Sequence, residues 1–255
     1  MRAAPRVVSL APSNTEIVSG LGALDLLVGV TSLCDFPPAV RQGRTIVGGW
    51  TDSDVVAVIR LRPDLVLTST FLQTAITNQL RQRGLTVLHL NVRSLADVMA
   101  SFQRIAGALH RPAAGRQLTK LFTMKLQQFT IQSPQPTRVY VEEWMHPPAV
   151  SGNWVPELVA RAGGQSLAAA DLPSRPVSLA EVQTFDPDLM VVSWCNTKAH
   201  PNLRALLDRP GWSTLRAVRL NRVYALDDSV LNRPGPRLLE GLQILRRLIE
   251  GVREA

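Results

Sequence analysis

The sequence is short of cysteine, lysine and catalytic signatures, and each shortage closes off a class of protein. Two cysteines, Cys34 and Cys195, are too few for a disulfide framework, and no zinc spacing surrounds them. Three lysines (Lys120, Lys125, Lys198) leave arginine to carry most of a formal net charge of +8, yet the basic residues never form a run of five or six. Nucleic-acid binders cluster such residues and interleave aromatics, so no nucleic-acid partner is expected and a solvated basic surface is the simpler reading. No apolar stretch reaches about 18 residues, which predicts no membrane insertion. In the opening MRAAPRVVSLAPSNTE, Pro5, Arg6 and Pro12 interrupt the apolar core of at least about seven residues that a secretory signal needs. As written, the chain is expected in the cytoplasm, with a periplasmic or cell-surface location as the alternative if the N-terminus is truncated. There is no GxxxxGK[ST], GxSxG, HExxH or GxGxxG, and His89, His110, His146 and His200 lie far apart. No enzyme, catalytic cofactor or metal site is expected.

What is present is alternation. With 45 % hydrophobic residues the chain is ordinary for a globular protein. RVVSLAP (6–12), LLVGVTS (26–32), DLVLTS (64–69) and LTVLHLNV (85–92) read as short buried strands. SNTEIVSGLGA, DSDVVAVIRLR and TAITNQLRQRG read as helices between them, the first with Ser13 or Asn14 as its cap. Residues 94–132 carry two consecutive helical patterns separated by Pro112, with no strand between. Alternation then resumes through RVYVEEW (138–144), DLMVVSW (188–194) and RVYALDD (222–228), and a long amphipathic helix closes the chain. The pattern predicts an α/β fold: two Rossmann-like lobes with parallel sheets joined by a long helical connector. The expected boundaries are 1–93, 94–136 and 137–255.

The two lobes echo one another. RPDLVLTST (62–70) parallels DPDLMVVSW (186–194), and NTEIVSGLG (14–22) parallels VPELVARAG (155–163), each of the latter pair with a Glu six residues before a Gly.

In parallel α/β units, ligands bind outside the carboxyl ends of the strands. The segments leaving those ends hold Trp144, Trp154 and Trp194, together with Phe36 and Phe71, and Trp50 sits in the long loop of the first lobe. Aromatics on loops point to a binding surface for a large, flat, partly apolar molecule. The alternative for each tryptophan is that it packs its loop onto its own lobe.

RVVSLAPSNTEIVSGLG, VGVTSLCDFPP, the Trp50 loop, LRPDLVLTST, PPAVSGNW…AGG and NRPGPR together resemble the cobalamin-binding proteins related to BtuF, within the class of ABC-importer substrate-binding proteins. Siderophore- and haem-binding relatives share much of the pattern. The resemblance implies a corrinoid such as cobalamin as bound ligand, held without enzymatic chemistry in a cleft between the lobes. Carried over by position, it implicates Pro12, Phe36, Trp50, the 149–154 loop and Arg233. Trp144 joins them as a loop aromatic. Within the 149–154 loop, Gly152 would let backbone approach the ligand, Asn153 would bond a corrin amide or cap the next helix, and Trp154 would offer an apolar face. An acidic residue of the family falls on Ser229 here, and Trp194 and Cys195 match by place and not by residue type. The implied partner is an ABC permease, yet its docking glutamates have no counterpart: one position falls near Thr74, the other within SWCNTKAHPNLR. That departure favours an intracellular corrinoid carrier or salvage protein. The alternatives are an importer component for haem or a siderophore, and a corrinoid-processing enzyme.

Overall fold

In the computed structural model, which describes residues 4–195 and 202–254, the alternation resolves into two sheets, each in its own compact unit. Residues 1–92 with 96–122 form the first unit, and 93–95 with 123–255 the second.

The first sheet contains β1 (Val7–Ser9), β2 (Leu27–Val30), β3 (Thr45–Ile46), β4 (Leu65–Ser69) and β5 (Val87–Leu90), in the order β3-β2-β1-β4-β5. Every pairing in it is parallel. Helices α1 (Pro12–Gly20), α2 (Val55–Arg60) and α3 (Thr74–Gln82) make the crossovers. Strand order reverses between β1 and β4, which is where an open α/β sheet leaves a crevice at its carboxyl edge. Val8, Leu10, Val47, Val58, Val66 and Leu80 form the core, all removed from solvent. The cap of α1 differs from expectation: Ala11 occupies that position with extended backbone and no side-chain bond, and Pro12 starts the helix. A proline at the first helical position has no N–H to satisfy, and Ser13 and Asn14 are buried inside the first turn. Asp54 does cap α2, accepting from the amides of Val56 at 2.8 Å and Ala57 at 3.0 Å.

The predicted helical segment becomes α4 (Leu95–Ala108) and α5 (Pro112–Phe129). They run antiparallel: Phe102 meets Phe122 edge to face at 5.3 Å, and Gln103 donates to Thr119 at 2.9 Å. Gly115 makes the approach feasible, because a Cβ there would lie 2.5 Å from that of Ala106. The two units divide within α5, after Phe122.

The second sheet contains β6 (Thr137–Trp144), β7 (Ala149–Val150), β8 (Gly164–Ser166), β9 (Arg175–Pro176), β10 (Leu189–Val192) and β11 (Val223–Ala225). Strands β8, β6, β10 and β11 are parallel neighbours, but β7 pairs antiparallel with both β6 and β9, so this sheet is mixed where a parallel one was expected. The extra strands have two residues each, too few for alternation to show in sequence. Helices α6 (Val155–Arg161), α7 (Leu179–Phe185), α8 (Leu203–Leu207), α9 (Arg216–Arg219) and α10 (Leu238–Glu254) complete the unit. Tyr140, Val150, Met190, Val192 and Trp212 belong to its core.

The internal echo has a structural cause. Arg62 (φ 45°) and Asp186 (φ 46°) are both left-handed residues that end a helix before Pro-Asp. In each unit the following aspartate accepts the backbone N–H of an arginine at the start of the adjacent strand: Asp64 from Arg6, just before β1, at 2.7 Å, and Asp188 from Arg138, the second residue of β6, at 3.0 Å. The other echo ends on Gly22 (φ 64°) and Gly163 (φ 87°), the left-handed residues that follow α1 and α6.

Candidate functional site at the carboxyl edges of the sheets

In the first unit one amide side chain organises the loops. Gln73 is fully buried. Its Nε2 donates to the carbonyls of Leu10 at 2.7 Å and Trp50 at 2.6 Å, and its Oε1 accepts from the Ser69 amide at 2.7 Å. The loops after β1, β3 and β4 are thereby fixed to one another. Gln73 was not legible in sequence, since a lone amide in TFLQ carries no signature. Arg41 holds the loop after β2 by donating to the carbonyls of Ser32 and Cys34.

On this scaffold Pro12 is buried, whereas Phe36 is 38 % exposed and Phe71 63 % exposed. Trp50 is half-buried; its indole N–H is buried without a protein partner. The Asn14 Nδ2 and Thr70 Oγ1 are likewise buried and unpartnered at the same edge. Cys34 is no surface thiol: it is fully buried, with Thr15 Oγ1 at 3.1 Å and Thr31 Oγ1 at 3.2 Å from its sulfur.

In the second unit the carboxyl end of β6 carries two consecutive carboxylates with different environments. Glu142 is fully buried and paired with both arms of Arg209 at 2.7 and 2.8 Å, and it also accepts from Tyr140 and Trp194 at 2.8 Å each. Glu143, its neighbour, accepts from Ser174 and lies 3.7 Å from the Cys195 sulfur. Burial pushes the Glu143 carboxyl above its ordinary range, against the pull of those hydrogen bonds. The Cys195 thiol is pushed up too, first by burial and then by the nearby Glu143 and Asp228 carboxylates. Asn232 donates to Cys195 at 3.4 Å and to the Ser193 carbonyl at 2.5 Å, tying the loop after β11 to the end of β10. A thiol held protonated in this way is a poor metal ligand.

The tryptophans separate into two kinds. Trp154 is 5 % exposed and donates its indole N–H to the Leu231 carbonyl at 2.7 Å. Trp194 is 4 % exposed and sits in the core beside Arg209. Both pack their loops onto the second unit and offer no open face. Trp144 is 37 % exposed at the end of β6. Gly152 also differs from expectation: a Cβ there would lie 2.3 Å from the Leu172 carbonyl oxygen, so its lack of a side chain admits the chain's own 172–174 segment. Asn153 (φ 54°) donates its backbone N–H to Leu172 at 2.6 Å and does not cap α6, whose cap position is Trp154. Ser229 is buried and accepts from Arg237 at 3.0 Å. Arg233 is half-buried near Asp227, whose carboxyl is lowered on balance: burial raises it, and the Ser229 hydrogen bonds with the Arg233 charge outweigh that. Ser151 Oγ, Ser193 Oγ and Asn232 Oδ1 are buried without protein partners. Of the expected second docking tip, SWCNTKAHPNLR (193–204), residues 196–201 lie outside the described residues.

Each sheet thus presents exposed aromatics and buried neutral hydrogen-bonding atoms at its carboxyl edge, and the second adds the buried Glu142–Arg209 pair and Glu143. Among the described residues no group of three or more His, Cys, Asp or Glu side chains gathers as a metal site, and no helix is long and apolar enough to cross a membrane.

Comparison with known proteins gives this geometry a context. Residues 7–230 match the family described as periplasmic binding protein. The chain is 30 % identical to the ABC transporter substrate-binding lipoprotein YvrC of Bacillus subtilis, over 96 % of this chain and 79 % of that one. It is 27 % identical to a vitamin B12-binding protein of Vibrio cholerae, over 94 % and 87 % respectively. Among solved structures, the periplasmic heme-binding protein RhuT from Roseiflexus sp. RS-1 superposes with a TM-score of 0.85 at 25 % identity, covering 98 % of this chain and 99 % of that one. These relatives are periplasmic proteins and lipoproteins, which overturns the expected cytoplasmic location. That expectation rested on the composition of the first residues and on the missing docking glutamates.

Proposed function

The chain belongs to the periplasmic binding protein family, and from that premise we propose that it is the substrate-binding component of an ABC importer whose cargo is cobalamin or a related corrinoid. The observation that carries the ligand is the kind of polar group at the carboxyl edges. Beside the charged Glu142–Arg209 pair of the second unit, the buried atoms without a protein hydrogen-bond partner at these edges include an amide nitrogen (Asn14), an indole N–H (Trp50), three hydroxyls (Thr70, Ser151, Ser193) and an amide oxygen (Asn232). They are neutral donors and acceptors, suited to the amide-bearing rim of a corrin more than to carboxylates. The exposed rings of Phe36, Phe71 and Trp144 supply apolar faces for a flat macrocycle. Arg233, half-buried beside Asp227 in the second unit, is the positive side chain assigned to polar support of the ligand. Binding needs no chemistry at the ligand, in keeping with relatives named as binding proteins.

Haem is the second reading, favoured by the likeness to a heme-binding protein of known structure. An absorbance titration with cyanocobalamin and hydroxocobalamin, run in parallel with haem, separates the two. Saturable one-to-one cobalamin binding supports the proposal. Saturable haem binding without cobalamin binding overturns it in favour of the second reading. A spectral change on binding hydroxocobalamin, absent with cyanocobalamin, would identify a protein side chain at the cobalt.

A further inference from the structure

We propose that the amino edge of the first sheet is a contact surface for an anionic lipid bilayer. Five arginines converge there. Arg6 leads into β1, Arg60 ends α2, Arg62 leads into β4, and Arg81 and Arg83 lie at the end of α3 before β5. β1, β4 and β5 are parallel neighbours, so their amino ends share one rim. Backbone bonds across that rim confirm the proximity: Leu65 donates to Arg6 at 3.3 Å and Val66 to Thr86 at 2.9 Å. Arg81 reaches the Val87 carbonyl at 3.2 Å, and the Arg6 guanidinium reaches that of Leu61 at 2.8 Å.

All five are exposed, and none has a carboxylate within ion-pair range among the described residues. Asp64 is the carboxylate beside them, and it is occupied by the Arg6 backbone N–H. Asp25, further along toward β2, is already matched by Arg111 at 3.9 Å.

Helix ends favour arginine through the backbone dipole, which accounts for one or two of these residues. It does not account for Arg62. The second unit builds the same left-handed residue followed by Pro-Asp with Asp186 in that place, and there the rim is neutralised. Arg138 pairs with Asp186 at 2.8 Å and Asp188 at 3.2 Å, and Arg216 pairs with Asp188 at 2.9 Å. The turn therefore accepts either charge, and the first unit has the one that leaves its rim positive. A rim with five exposed arginines and one carboxylate, Asp64, is attracted to an anionic membrane surface and released by salt. Nucleic acid is the weaker fit, because no exposed aromatic lies among these arginines to stack on bases; Phe36 and Phe71 stand at the opposite edge.

Co-sedimentation with phosphatidylglycerol–phosphatidylcholine vesicles at low ionic strength tests this, with pure phosphatidylcholine vesicles as reference. Wild-type protein is expected to partition onto the anionic vesicles and to leave them in high salt. Each arginine near such a surface strengthens partition by about fivefold, so Arg60→Glu/Arg62→Glu/Arg83→Glu, which removes three positive charges and adds three negative ones, lowers it by at least about 100-fold. Arg116→Glu/Lys120→Glu/Lys125→Glu changes the net charge equally on exposed positions of α5 and is expected to retain most of the binding. The single change Arg62→Asp, which copies the second unit's turn, is expected to weaken partition with an unchanged melting temperature. Equal loss in the α5 variant, full retention in the rim variant, no preference for anionic vesicles, or displacement from them by a short DNA duplex would each overturn the proposal.

Discussion

At the amino edge of the first sheet, Arg62-Pro63-Asp64 feeds β4; at the same place in the second, Asp186-Pro187-Asp188 feeds β10. The backbone is the same in both, and so is the bond from the aspartate to the neighbouring strand's arginine N–H. The side chains then part. Arg6 turns to the Leu61 carbonyl, whereas Arg138 bonds the Phe185 carbonyl and both aspartates. The carboxyl edges differ in a related way. The second unit buries the Glu142–Arg209 pair there, while the first buries the neutral hydroxyls of Ser9 and Thr15, 2.8 Å apart. At these two places the second unit uses ion pairs where the first uses hydroxyls and backbone carbonyls. Charge is set locally, on a turn that the fold requires.

The largest break in this contrast is expected at the buried pair. Arg209→Ala strands Glu142 in the core and is expected to destabilise the protein by about 3–5 kcal/mol, read as a lower urea midpoint. Ser9→Ala in the first unit removes one neutral hydrogen bond and is expected to cost about 1 kcal/mol. A comparable loss in the two variants would show that the buried charges are no more demanding than the hydroxyls.

The paired turns give the next effect. Asp188→Ala removes bonds to the Arg138 amide and to two guanidinium groups, with an expected cost of about 2 kcal/mol. Asp64→Ala removes a single amide bond at an exposed site and is expected to cost about 1 kcal/mol or less. Asp186→Ala loses a largely exposed ion pair, worth at most about 1 kcal/mol after solvent screening. If Asp64→Ala proves the costlier of the first two, the extra guanidinium contacts of the second unit contribute nothing.

Two carboxylates of the second unit should respond to pH in opposite senses. Burial raises Asp188, but its hydrogen bonds to Arg138 outweigh that and hold it below the ordinary range. Its contribution is therefore full above its ordinary value of 3.8 and is lost as pH falls through the lowered folded value. Glu143 is raised by burial, so its contribution is full below its ordinary value of 4.5 and fades as pH rises through the folded value. Glu143→Gln is accordingly expected to gain stability relative to wild type between mildly acid and neutral pH, and Asp188→Asn to converge on wild type in strong acid. Unfolding midpoints across pH check both signs.

The strand–helix alternation was legible because each long strand is a run of β-branched and leucine residues closed by Pro, Gly or a polar cap. The echo of the Pro-Asp turns was legible as well, although its cause, a left-handed residue and an aspartate bonded across to the next strand, needed coordinates. Less was legible at the site. Position in a loop says nothing about which way an indole points, so Trp144, Trp154 and Trp194 looked alike in sequence, yet two of them are core. Gly152 was readable as a site of close approach, but what approaches is the 172–174 segment. Gln73 and Asn232, which tie the strand-end loops together, have no sequence signature because their partners are mostly backbone carbonyls 23 to 63 residues away.

The measurement that tests the central claim most directly is calorimetric titration of hydroxocobalamin into wild-type protein and into a Phe36→Ala/Trp144→Ala variant. Both side chains are more than a third exposed at carboxyl edges, so the folded variant is expected to persist with a modestly lowered melting temperature, checked before titration. The account predicts saturable one-to-one binding to wild type and a large loss of affinity in the variant. Binding of equal strength in both proteins, or none in either, would contradict it.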